Sequence, residues 1–151
     1  LKNLSKEDIL QLLIAISNEK EIKINSYQKD VMLNLINTFK GRSKNINDLY
    51  NSLKFIFHND IEIAKNDNEI LLNSKNYKNG VIDELSSIKN WTSDEIQNII
   101  NKFVDNNGIN FKCIGQPLRL ILTKDLNSPS ISIIMEALGK EQVMKKIIDL
   151  W

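Results

Sequence analysis

Four side chains carry most of the chemistry this sequence could perform: Arg42 and Arg119, the only two arginines, together with His58 and Cys113, each the single residue of its kind. Arg42 stands between Lys40 and Lys44 with little apolar sequence to bury it, and a guanidinium offers a rigid, planar fork of donors. Either it faces an external acceptor, or it is a solvated residue paired with Asp48 or a nearby carbonyl. Arg119 is flanked by Leu118, Leu120, Ile121 and Leu122, so its stem must be covered and its head must find a carbonyl or a carboxylate. His58 has no carboxylate or cysteine at ligand spacing and reads as a residue at a helix end. Cys113 lacks a paired histidine or a basic setting and reads as a small, half-buried hydrophobe. No nucleotide-binding motif and no acid–base or metal constellation is present, so no catalytic and no metal-ligating residues are assigned.

Composition narrows the class. The 151 residues are 42% hydrophobic and 26% charged, which is ordinary for a globular protein and enough for one domain or two small ones. Twenty basic against nineteen acidic side chains leave a net charge of +1. No global field therefore announces a nucleic-acid partner, and any such site must be local. A lone cysteine excludes an internal disulfide and fits a cytoplasmic setting, and no apolar run is long enough for a membrane helix or a signal peptide. The chain begins with Leu1 and not Met, which suggests a fragment.

The elements that must position these residues read as helices throughout, an all-α fold in two packed helical subdomains. Ser5 to Asp8 resembles a capping box, and Ile9, Leu12, Leu13 and Ile16 follow at helical spacing. Asn25-Ser26 opens a second helix with Met32, Leu35, Ile36 and Phe39 inward and Gly41 as its stop. A third starts near Asn47 and carries Leu49, Tyr50, Leu53, Ile56 and Phe57. These three predict a small bundle ending near Asp60. The apolar pattern is weak from Ile61 to Asn79, and the boundary is placed near Ala64, giving subdomains 1–64 and 65–151. It recovers at Val81, Leu85 and Ile88. Thr92 and Glu95 form a capping box, with Trp91 and Ile96 as a hydrophobic staple, and the helix runs from Ser93 to a stop at Gly108. Ile109 to Ile114 reads as a short extended connector.

Beyond it, Pro117 and Pro129 each read as the first residue of a helix, after Gln116 and Ser128 as caps. The second of these helices presents Ile131, Ile134, Met135 and Leu138 on one face and ends in a left-handed cap at Gly139. A last helix runs from Lys140 to Trp151. The aromatics Tyr50, Phe55, Phe57, Trp91 and Phe103 fall on apolar stripes and read as core. Tyr77, in the weakly patterned connector, is the exception.

Gly115 to Lys140, GQPLRLILTKDLNSPSISIIMEALGK, resembles the C-terminal end of bacterial-type glutamyl-tRNA synthetases. Gln116, Pro117, Leu118, Arg119, Leu122, Thr123, Ser128, Pro129, Leu138, Gly139, Lys140 and Glu141 stand in matching places. Lys124 departs from the family's usual glycine, so the turn must form without the backbone freedom of that residue. Lys40 to Phe57 is similar to a second family segment, with Arg42, Lys44, Leu49, Phe55 and Phe57 in register and Asn45 in place of a threonine. Trp91 to Gly108 and, more weakly, Leu4 to Ile16 match two further segments in the same order.

The resemblance implies an anticodon-binding region: an N-terminal three-helix bundle that joins it to a Rossmann-type catalytic half, and a multi-helix C-terminal subdomain. That half's HIGH-like and KMSKS-like signatures are absent from these residues. It also implies a parent ligase that attaches glutamate to its tRNA with ATP and magnesium, while this segment holds no cofactor. The partner is glutamate tRNA, or glutamine tRNA as well; neither DNA nor a membrane is expected, and the protein is taken as a monomer. RNA loops are read by hydrogen bonds to base edges and by stacking, and phosphates are held by basic side chains. Arg42, with Lys40 and Lys44, then becomes the first candidate contact. Arg119 is either a contact or an internal clamp. Lys124, Lys140, Lys145 and Lys146 form either a basic rim for phosphates or a solvated face. A free-standing helical module that binds protein is the alternative reading.

Overall fold

A computed structural model describes residues 1–58 and 62–151, and among these all regular structure is helical. The chain divides into two compact units, Leu1–Asp60 and Ile61–Trp151. Asp60 and Ile61, where the bundle was expected to end and the weak connector to begin, lie outside the described residues.

The first unit holds α1 (Lys6–Glu19), α2 (Ser26–Lys40) and α3 (Ile46–Leu53), followed by a 3-10 turn at Lys54–Ile56. Each helix starts where a short polar side chain takes one of the amides that a helix N-terminus leaves without a partner. Ser5 Oγ accepts the Asp8 amide at 3.1 Å and Asn45 Oδ1 accepts the Asp48 amide at 2.9 Å. At α2 the box is reciprocal: the Gln28 amide donates to Asn25 at 2.8 Å, and the Asn25 amide to Gln28 at 2.9 Å. The three helices pack on one another around Ile9, Leu13, Met32, Leu35, Ile36, Leu49 and Leu53. Two details differ from the periodic reading. The stripe on α1 is Ile9, Leu10, Leu13 and Ser17, leaving Leu12 on the outside. Tightening of the chain after Leu53 changes the helical phase, so Phe55 and Phe57 are buried while Ile56 is half-exposed.

The second unit holds α4 (Asn68–Asn73), a 3-10 turn at Lys75–Tyr77, α5 (Lys78–Ser86), α6 (Ser93–Asn106), α7 (Lys112–Thr123), α8 (Ile131–Leu138) and α9 (Lys140–Leu150). Much of the weakly patterned stretch is therefore helical, held by Leu71 beneath it. α7 is the central element. It packs against α4, α8 and α9, and Ile114, Leu118, Leu120, Ile121 and Leu122 are all fully buried. Long polar side chains stitch the remaining helices together. Trp91 Nε1 donates to the Met135 carbonyl at 2.8 Å, and Trp151 Nε1 to Ser74 Oγ at 3.0 Å.

Five expectations about this unit are corrected. Ile109 to Ile114 is not an extended connector, because α7 begins at Lys112: the Asn110 side chain takes the Lys112 amide at 3.1 Å, and the Phe111 carbonyl takes the Gly115 amide at 2.7 Å. Pro117 consequently sits inside α7 and not at its start, where it cannot return an amide to the Cys113 carbonyl. Burial on nearly every side holds the helix together there. At the next helix, Pro129 precedes the start by two residues, and Ser130 occupies the cap position with its hydroxyl 2.9 Å from Ser132 Oγ and not on a helix amide. Gly139 does take a positive φ of 88°, but with ψ 153° it is extended, not left-handed helical. The Thr92 box is half-formed as well. Thr92 accepts the Glu95 amide at 3.3 Å, while its own amide goes to the Asn90 carbonyl at 2.9 Å.

Candidate nucleic-acid interface

In the first unit, α2 and α3 meet at a tight corner that presents Lys40, Arg42 and Lys44 within five residues. The Arg42 amide returns to the Phe39 carbonyl and the Ser43 amide to the Lys40 carbonyl, both at 3.1 Å. Ser43 Oγ also donates to the Phe39 carbonyl at 3.1 Å, and the Asp48 carboxylate accepts the Lys44 amide at 3.1 Å. Backbone and short side chains thus fix the corner. Arg42 and Lys44 are exposed and Lys40 is half-buried. A rigid corner carrying exposed cations is suited to an anion or a base edge.

The cationic residues of the second unit fall into two groups. Arg119 is half-buried on α7 and donates Nε to the Ser128 carbonyl at 3.3 Å. The loop that brings Ser128 there is stitched internally: Thr123 Oγ1 donates to the Arg119 carbonyl at 2.8 Å, and Asp125 accepts the Asn127 amide at 2.8 Å. Gly115 lets the arginine lie close, since a Cβ there would stand 3.1 Å from Arg119 Nη1 and 2.6 Å from the Phe111 ring. Ser128 Oγ is buried beside this corner without a partner among the described residues. Arg119 thus clamps Ser128 through Nε, and its guanidinium makes no other hydrogen bond among the described residues.

Lys124 closes α7 in the left-handed region, φ 62° and ψ 18°. A glycine-type conformation is thus kept at the position where the resemblance leads one to expect glycine. Burial lowers the proton affinity of its ammonium, and burial followed by the Lys124 charge does the same for Lys146 on α9. These two lysines are brought together, and Lys145 lies exposed beside Lys146 on the same helix. Two like charges held near each other out of bulk water suit a bound anion. Lys140 is not in that group: its Nζ donates to the Ser86 and Ile88 carbonyls at 2.8 Å each, securing the end of α5.

Position also disposes of the remaining candidates for other chemistry. His58 follows the 3-10 turn, half-buried, and no cluster of three metal-ligating side chains occurs among the described residues. Cys113 lies half-buried on α7, at the edge of a cleft of ≈ 280 Å³ that also takes in Asn73, Tyr77, Lys112 and Gln116. This cleft escaped the sequence reading, which had flagged Tyr77 alone. Its one sequence signal was an aromatic outside any apolar stripe. No helix is long and apolar enough to cross a membrane among the described residues.

Comparison with known proteins supplies the context for these cations. The anticodon binding domain family matches residues 9–150. A glutamate–tRNA ligase of Wigglesworthia glossinidia brevipalpis is 29% identical over 97% of this chain and 31% of its own length. One from Pelagibacter ubique is 29% identical over 87% of this chain and 27% of its own. The chain thus spans less than a third of the curated relatives it matches. In fold it is similar to a glutamate tRNA ligase of Elizabethkingia meningosepticum, solved in complex with its amino acid. The TM-score is 0.79 at 23% identity, covering 98% of this chain and 29% of the other.

Proposed function

Because this chain belongs to the anticodon binding domain family, we propose that it holds the anticodon arm of a tRNA as part of a glutamate–tRNA ligase. The observation that carries the reading is the extent of the match, which runs through both helical units and takes in both cationic surfaces. The chain works by positioning. Contacts at the anticodon arm set where the acceptor end falls, and the part of that binding energy realised only in the transition state becomes specificity for the chemical step. Arg42 is the proposed base reader, supported by Lys40 and Lys44. Lys124, Lys145 and Lys146 are the proposed phosphate contacts. Arg119 holds the α7 corner and offers its outer donors to the RNA. ATP and magnesium belong, in this reading, to the catalytic half of a longer polypeptide, and the protein is a cytoplasmic monomer.

Hydroxyl-radical footprinting of glutamate tRNA on the full-length protein tests the proposal. Protection should cover the anticodon stem and loop. Protection confined to the acceptor arm, or equal affinity for a tRNA whose anticodon loop is replaced, would overturn it. Charging glutamine tRNA transcripts alongside decides whether the ligase accepts both tRNAs.

A further inference from the structure

We propose that the cleft walled by α4, the Lys75–Tyr77 turn and the first turns of α7 receives one unstacked base of the tRNA loop, a reading that rests on the function proposed above. Its volume, ≈ 280 Å³, lies just under the range of about 300–1,000 Å³ typical of drug-sized ligands. That size suits a single base better than a nucleotide cofactor or a peptide. The lining combines the Tyr77 ring and Pro117 with the carboxamides of Asn73 and Gln116 and the Lys112 ammonium, and no carboxylate lines it to repel a phosphodiester.

Each of these groups is available for the task. Among the described residues the side chains of Asn73, Gln116 and Lys112 make no hydrogen bond, whereas Ser74 at the back wall is spent on the Ile70 carbonyl and the Trp151 indole. The aromatic wall is braced from behind. Tyr77 meets Phe103 edge-on, with centroids 6.2 Å apart and planes at 89°. Phe103 in turn lies so close to Gly80 that a Cβ there would come within 2.7 Å of the ring. A braced aromatic ring, carboxamides that can both donate and accept, and a neighbouring cation are what an unpaired base and its phosphate require.

A cycle between protein and RNA variants in the full-length protein tests this. The probes are glutamate tRNA transcripts that are abasic at one anticodon-loop position each, bound to wild type, Tyr77→Ala, Tyr77→Phe and Gln116→Met. Stacking predicts that Tyr77→Ala weakens intact tRNA about tenfold, that Tyr77→Phe does not, and that one abasic position abolishes the difference. Gln116→Met, on the cleft wall, should couple to that same position. Bound tRNA should also protect Cys113 from iodoacetamide, read on the peptide that carries it, which covers the case in which Tyr77→Ala fails to fold. Normal tRNA binding without coupling at any position and without protection of Cys113 overturns the cleft and leaves the proposed function standing. Wild type indifferent to the anticodon arm overturns both.

Discussion

The two arginines differ in setting, Arg42 being exposed at the α2–α3 corner and Arg119 half-buried on α7. Arg119 has the Ser128 carbonyl within reach and a covered stem. Arg119→Ala should therefore lower stability by about 2 kcal/mol, as expected for loss of a charged hydrogen bond, with tRNA affinity falling mainly through the fold; thermal unfolding beside binding measures the split. A variant with wild-type stability would remove the clamp. Lys146 presents the opposite balance. Burial and the Lys124 charge hold its folded-state proton affinity down, so the folded chain releases that proton at lower pH than the unfolded chain does. Stability consequently rises as the pH climbs from the depressed value toward 10.5. Lys146→Met should be more stable than wild type at neutral pH, with the gap closing in alkali. It should also bind tRNA more weakly, with a salt dependence shallower by about one unit of slope. Unfolding curves at several pH values, with binding at two salt concentrations, follow both effects. An unchanged salt slope would take Lys146 out of the phosphate contacts.

At the scale of elements, legibility followed local chemistry. Helix starts at Ser5, Asn25 and Thr92 could be read because a capping oxygen acts within three residues, and the stripes of α2 and α8 because burial there is one-sided. Proline misled for a physical reason. Its preference for the first turn is a statement about isolated helices, and the packing around α7 tolerates Pro117 six residues in. Asn110, two residues before α7 and bonded through its side chain to the Lys112 amide, carried a turn signal that the proline overshadowed. Likewise the Asn73–Tyr77–Gln116 cleft is assembled from residues some forty positions apart, which no local pattern reveals. Arg42 and the Lys40–Lys44 corner could be read in advance because one connector supplies them all. That corner makes a prediction of its own. Gly41 adopts right-handed angles, φ −64° and ψ −19°, and nothing lies within 4 Å of a Cβ built there. Gly41→Ala should stabilise the protein by about 0.4–1 kcal/mol through the unfolded chain and leave tRNA binding intact. A loss of stability would contradict the rigid corner described for α2 and α3.

For the molecule as a whole, near-neutral charge means that specificity cannot come from a general attraction to RNA and must come from a few placed groups. Two helical units, each with its own core and its own cations, supply such groups. In the function proposed above, the chain's contribution is discrimination among tRNAs. The measurement that tests this most directly is kcat/KM for charging glutamate tRNA and transcripts with single anticodon changes, by the full-length protein and by its Arg42→Ala variant. Removal of Arg42 should lower charging of the intact tRNA by about 1–3 kcal/mol of transition-state binding. The preference for one anticodon base should collapse in the variant. Equal charging of every anticodon transcript by wild type, or an Arg42→Ala variant that keeps the full preference, would contradict the account.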